Sequence, residues 1–448
     1  MRIHSFLLLL LLVKGVNGQQ IVSEQERAQM KDALLEERFD QLLPRIMDET
    51  GIDLWILISR EYNEDPVLRT MLPATWLHAR RRTILLFYKD PQSGQLEKLA
   101  VARYNVGNQI QSAWEKEKEP DQWKRLIQLI VSRDPGKIGL NISRDFNIAD
   151  GLDKTDYDTF MQYLPEKYHN RVVSAEQLAV RWIETRTERE MVLYPQLVDI
   201  THDIIAEAFS EKVITPGITT TSDVEWWLRQ ELTDKGLETW FHPTVDIQRS
   251  MEVQQGHLYS FSDRPEDMVI QPGDLLHCDF GIRYLGLNTD CQELAYVLKP
   301  GETAAPDFLN KALADGNRVQ DFLGANMQEG RIGNEILDTS LEQARAVGLR
   351  PAIYTHPLGL YGHSAGTTIG MWDAQEGVGT DDGTRYPLRA NTVYAIELNT
   401  TVHLPEWKRD IRIMLEEAGF FGQDGFRFVN GRQTKLLLIP RQKPYLSN

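Results

Sequence analysis

A chain of 448 residues, 42% hydrophobic and 25% charged, has the composition of an ordinary globular protein. At about 100–200 residues per domain it should hold two or three domains, and disordered, collagen-like and coiled-coil classes are excluded. With 49 Lys and Arg against 65 Asp and Glu, the formal net charge is −16. No basic patch marks a nucleic-acid binder, and the acidic excess suits solubility or a cation site. The only cysteines, Cys278 and Cys291, cannot build a disulfide framework or a cysteine zinc site.

Residues 1–18, MRIHSFLLLLLLVKGVNG, start with Arg2 and carry an apolar run from Phe6 to Val13. That run is far short of the roughly 20 residues a membrane span needs. With the small-residue stretch Val16-Asn17-Gly18 it reads as a secretory signal peptide cleaved near Gly18. No other segment is long and apolar enough to span a membrane. The expected location is the periplasm or outside the cell.

Residues 22–48 form a helical pattern, with Ser23 and Glu26 at capping-box spacing. Met30, Leu34, Phe39, Leu42, Leu43 and Ile46 supply its apolar stripe. Strand-like runs follow at Leu54–Ile58, Thr83–Tyr88, Leu99–Ala102 and Lys137–Leu140, with a helix around 121–133. This alternation predicts an α/β domain. Its boundary should fall near Arg181–Arg186, before a long helix of about Glu188–Glu211. The expected division is residues 1–18, 19–185 and 186–448.

From about residue 240, strand-like alternation dominates, interrupted by helices near 306–324 and 331–347. This predicts an α+β domain with a mostly antiparallel sheet. Asn141-Ile142-Ser143 and Asn399-Thr400-Thr401 match the glycosylation pattern. Asn399 is expected in a buried strand and is discounted.

Residues 273–298 read as two strands around a turn at Arg283–Asn288. If Asp279 lies opposite Asp290, both carboxylates share one face. Opposed like charges destabilise a sheet unless a cation neutralises them. A solvated hairpin is the alternative, but Leu275, Leu276, Cys278 and Phe280 make the first strand apolar, and a carboxylate there needs a partner. His277 shares the parity of Asp279. Further on, Thr355–His363 places His356 and His363 in a glycine-containing loop. Glu397 sits in the apolar run Thr392–Leu398, and Glu416 in Ile411–Glu417.

The order Asp, Asp, His, Glu, Glu, with Asp279 and Asp290 eleven apart, resembles the pita-bread metallopeptidases. These include methionine aminopeptidase, aminopeptidase P, prolidase and creatinase. The Asp-Phe-Gly…Thr-Asp hairpin, the His-x-x-Gly-x-x-x-His loop and the Ile-Glu strand carry the likeness over about residues 186–448. Residues 20–185 fit a smaller creatinase-type amino-terminal domain.

The resemblance implies that Asp279, Asp290, His356, Glu397 and Glu416 bind two divalent metal ions, with Asp290 and Glu416 bridging. Mn²⁺ is the first expectation, with Co²⁺ and Zn²⁺ as alternatives. It implies hydrolysis of a peptide bond preceding proline by a metal-bridging hydroxide, as an Xaa-Pro aminopeptidase or dipeptidase. Glu397 would carry the proton and His363 would steady the oxyanion. Substrates would be peptides with proline second. A homodimer or homotetramer is expected, and neither nucleic acid nor a membrane span.

Two features depart from the family pattern. The family's histidine about seventeen residues before the first metal Asp is missing from Ser260–Asp263, and His242 or His257 would replace it as a substrate-binding group. Arg412 stands four residues before Glu416 rather than two, so Glu416 is preferred to Glu417 by alternation. A lyase or other hydrolase on the same cage, or a non-catalytic binding module, are the competing readings. Pairing of the two Asp would bring Cys278 and Cys291 together on the opposite face, where a disulfide is conceivable.

Overall fold

The computed structural model describes residues 21–250, 267–371, 375 and 383–442. The expected capping box forms: Ser23 caps the helix Glu24–Glu37, and the Glu26 side chain returns to the Ser23 backbone. A five-residue π turn, Arg38–Leu42, carries the helix on to Leu43–Thr50.

That helical unit covers a six-stranded mixed sheet. Its strands lie in the order Gln111–Ser112, Leu96–Val101, Arg82–Lys89, Leu54–Arg60, Ile138–Leu140, Val172–Ser174. Leu54–Arg60 is antiparallel to Arg82–Lys89 and parallel to Ile138–Leu140. Its unbroken apolar run is explained by cover on both faces. Trp55 and Leu57 pack with Phe39 and with Leu178 and Trp182 of the helix Glu176–Glu184. Leu54, Ile56 and Ile58 pack with Trp123, Leu126 and Ile130 of the helix Gln122–Arg133.

The next helix, Glu188–Ala208, begins on a second capping box, Thr187 with Glu190. Glu190 also accepts from the Arg38 guanidinium at 2.9 and 3.1 Å, both side chains buried. The π turn is thereby tied to the start of this helix. The helix stops three residues before the expected end, because Phe209 leaves the helical region at ψ 51°.

The two-stranded ladder of Arg283–Tyr284 with Leu287–Asn288 and three larger sheets follow among the described residues. Thr244–Gln248, Leu275–Phe280, Cys291–Val297 and Leu437–Ile439 form one. Pro351–Ile353, Leu398–Leu404 and Arg409–Leu415 form the second. His356–Leu358, Thr392–Ala395, Ala418–Gly422 and Gly425–Phe428 form the third. Every pairing among them is antiparallel except Ala295–Val297 with Leu437–Ile439. The first and second sheets are stitched where the Gln292 N–H donates to the Glu416 carbonyl at 3.0 Å. Helices Asp307–Asn326 and Gly333–Ala346 supply buried faces against the second and third sheets. This is the α+β arrangement with antiparallel sheets that the alternation predicts.

Both glycosylation-pattern asparagines are buried. Asn399 is inside a strand, and Asn141 bridges Trp55 and Asp65 through its amide, each at 2.8 Å. No helix of the described residues is long and apolar enough to cross a membrane. The signal-peptide segment lies outside the described residues.

Candidate metal centre

Register decides which side chains meet. Asp279 faces Gln292 across the hairpin, not Asp290 as expected; Cys291 faces Phe280 and Cys278 faces Glu293. Asp290 comes just before its strand begins, one step outside the ladder. Its parity is nevertheless that of Gln292, so Asp279, Asp290, Gln292 and His277 share one face. The same register separates the two cysteines by two positions. Both are free, buried thiols, and the conceivable cross-strand disulfide does not form.

Glu416 arrives on that face through its bridge to Gln292. Glu397 stands in the gap between Thr392–Ala395 and Leu398–Leu404. Its carbonyl accepts from the Tyr354 N–H at 3.0 Å. His356 opens the short strand opposite Ala395. The His356 Nε2 lies 3.7 Å from Asp290 Oδ2 and 3.8 Å from Glu416 Oε1. Donor atoms of these three residues fall within 4.8 Å of one another. Alternation sends Glu417 the other way, where it pairs with His202 at 2.9 Å and accepts from the Gln433 N–H at 2.8 Å.

Burial and crowding dominate the electrostatics. Asp290 and Glu416 are pushed well above the usual carboxylate range, Asp290 by burial and then by Asp279 and Glu397, and Glu416 by burial and then by Asp290, Glu397 and Asp279. Asp279 rises to about 6, mainly by burial. Glu397 rises to about 8, by burial and then by Asp279. His356 falls to about 3, by burial and then by its neighbour His363. Its Nδ1 lies 3.1 Å from the Pro357 carbonyl, an acceptor, so Nδ1 holds the hydrogen. The Nε2 lone pair therefore points at the carboxylates.

Asp279 Oδ1, Asp290 Oδ1, Glu416 Oε1 and His356 Nε2 are buried without a hydrogen-bond partner among the described residues. Buried polar atoms are normally satisfied, and clustered carboxylates repel. What this set lacks is positive charge without hydrogens. Hard carboxylate oxygens with a single imidazole nitrogen suit a divalent cation.

Gln292 is the functional candidate that sequence reasoning missed. Its Nε2 donates to Glu397 Oε1 at 3.0 Å, and its Oε1 accepts from His277 Nε2 at 3.0 Å. His277 Nδ1 is 3.3 Å from Asp246 Oδ2. The chain Asp246–His277–Gln292 thus orients Glu397. The signal was available: Gln292 has the parity of Asp290, and His277 that of Asp279.

At the rim, the His363 ring stands 4.7 Å from His356 and 5.1 Å from Trp240. Trp240 is held by its indole N–H on the Thr289 carbonyl, 3.0 Å away. A Cβ on Gly362 would meet the Trp240 ring at 2.2 Å, so only glycine lets the loop approach. His242 is exposed and contacts Arg229, Glu225 and Trp226 rather than the carboxylates. His257 and Ser260–Asp263 lie outside the described residues.

The model of metallopeptidase family M24 matches residues 195–418, a span that holds all five candidate ligands and His363. The chain belongs to metallopeptidase family M24. It is thus a member of a metal-dependent hydrolase family. No curated protein matches it. Among solved structures it is similar to an X-Pro aminopeptidase from Thermotoga maritima MSB8, 16% identical over 88% of this chain and 99% of that one, TM-score 0.61. A dipeptidase from Pyrococcus horikoshii OT3 is 15% identical over 90% and 99%, TM-score 0.58. An Xaa-Pro dipeptidase from Bacillus anthracis is 15% identical over 93% and 100%, TM-score 0.53. At these identities the likeness shows the pita-bread fold, spanning nearly the whole M24 chain.

Proposed function

We propose that this M24 protein is an exported, dinuclear metal-dependent peptidase that cleaves bonds preceding proline. The observation carrying this reading is the convergence of Asp290, His356 and Glu416, which together with Asp279 hold buried atoms that lack a partner among the described residues. Those five residues would hold two divalent ions, Mn²⁺ foremost, which supply Lewis acidity and an acidified bound water. Asp290 and Glu416 suit the shared positions, since His356 Nε2 is near both. Glu397, oriented by Gln292, is the proton carrier. His363 stands at the open side beside His356, and it would donate to the oxygen of an attacked carbonyl. Proline selectivity is supported by the likeness to an X-Pro aminopeptidase and an Xaa-Pro dipeptidase. A division near residue 185, with a creatinase-type amino-terminal domain, accords with the separate six-stranded sheet.

The test is purified protein with Mn²⁺ offered Ala-Pro, a longer Ala-Pro peptide, and both with alanine in place of proline. Cleavage of the proline peptides alone is expected. Cleavage of none with metal bound would refute the peptidase reading and favour other chemistry on the same cage. Gln292→Leu should lower kcat about 10–100-fold with little change in KM, the usual cost of losing an orienting partner. Unchanged kcat in that variant would show that Glu397 needs no such partner.

A further inference from the structure

The two segments that carry Asp290 and Glu416 present a second set of donors on their other face. Successive residues on a strand point to opposite sides, so Cys291 and Glu417 face away from the candidate centre. There they meet His202 of the helix Glu188–Ala208. One donor atom from each of His202, Cys291 and Glu417 lies within 4.8 Å of the others. Glu293, two residues beyond Cys291, is on the same face and only 7% exposed. Its carboxylate meets His202, with Oε1 4.0 Å from His202 Nε2. A carboxylate so buried ordinarily has a hydrogen-bonding or metal partner.

The geometry points to a second, rear metal site for a borderline-soft divalent cation such as Zn²⁺, bound by His202, Cys291, Glu417 and Glu293. Mixed sulfur, nitrogen and oxygen donors suit zinc, whereas the front set is oxygen-rich. Two cysteines in the chain exclude a thiolate cage, but one thiolate among other donors is enough. The Gln433 N–H on Glu417 Oε1 fixes that carboxylate and leaves Oε2 toward His202. The His202 side chain is 22% exposed, which gives an ion a path from solvent. Binding releases the Cys291 thiol proton and any proton on His202 to water, since only the thiolate and neutral imidazole ligate. Front and rear sites share the backbone at 290–291 and 416–417. Filling the rear site would therefore stiffen the strands that present two front ligands.

Cobalt(II) separates the two sites, because the front donors contain no sulfur. Only thiolate ligation gives an intense near-ultraviolet sulfur-to-cobalt charge-transfer band. Full-length protein stripped with a chelator and titrated with Co²⁺ is expected to develop that band. Cys291→Ser should abolish it, and Cys278→Ser should keep it. Glu293→Gln should weaken the Co²⁺ dependence of the band about 10–100-fold. No band in the unmodified protein at saturating Co²⁺ would overturn the site whatever the variants do. A band that persists in Cys291→Ser would overturn it equally, and an unchanged titration in Glu293→Gln would remove Glu293 from the donor set.

Discussion

Glu416→Gln is expected to lower kcat/KM by at least about 10³-fold, because the loss of Glu416 as a proposed shared metal ligand would forfeit several kcal/mol of Lewis-acid stabilisation and each 1.36 kcal/mol is tenfold. Glutamine keeps the volume and removes the charge. In the metal-free protein Glu416 is buried beside Asp290, with Glu397 and Asp279 adding to the repulsion. The metal-free variant should therefore melt at or above the temperature of the metal-free parent, while losing the rise in melting temperature that Mn²⁺ gives the parent. That rise corresponds to about 2.7 kcal/mol at a hundred times Kd. A calorimetric scan with and without Mn²⁺ reads both. A variant that is less stable without metal, yet stabilised by Mn²⁺ like the parent, would show that Glu416 is a structural acid.

The second large effect is on stability against pH. In the metal-free fold Glu397 is raised to about 8, so the native state keeps a proton that the unfolded chain has lost near 4.5. The unfolded state then binds fewer protons, and stability falls as pH rises across that window. Glu293, raised to about 7 by burial, acts in the same direction. His202 is raised to about 9 by Glu417 against the opposing effect of burial. Its contribution is full below 6.5 and is lost as pH climbs toward 9. His356, lowered to about 3, works the other way, but only below 6.5. Between about pH 6.5 and 8 the signs agree: chelator-treated protein should lose stability with rising pH. Mn²⁺-loaded protein should lose less, since bound cations would hold the front carboxylates ionised and leave only Glu293 and His202 to titrate. Melting scans at several pH values test this, and a chelated protein that gains stability over that interval would contradict it.

How far the sequence carried is clearest at single residues. Ser23 and Glu26 announced the first helix, and the apolar run at Leu54 announced a strand, because capping and burial are local or periodic signals. Alternation put Glu416 and Glu417 on opposite faces, and they meet His356 and His202 respectively, since parity survives folding. Register did not survive. Placing Asp279 opposite Asp290 centred the hairpin between Tyr284 and Leu285. The ladder Arg283–Tyr284 with Leu287–Asn288 centres it one residue later, between Leu285 and Gly286, and the same register carries Asp279 to Gln292. The Asp246–His277–Gln292 chain joins residues of three strands, and only pairing brings it together. Nothing in the spacing of His202 foretold its approach to Glu417, 215 residues along the chain.

Crystals grown with Mn²⁺ and measured above the manganese edge test whether two divalent ions belong among Asp279, Asp290, His356, Glu397 and Glu416. Two anomalous peaks in contact with Asp290 and Glu416, one of them also against Asp279 and the other against His356 and Glu397, are the predicted result. Saturating Mn²⁺ with no peak among these side chains would contradict it.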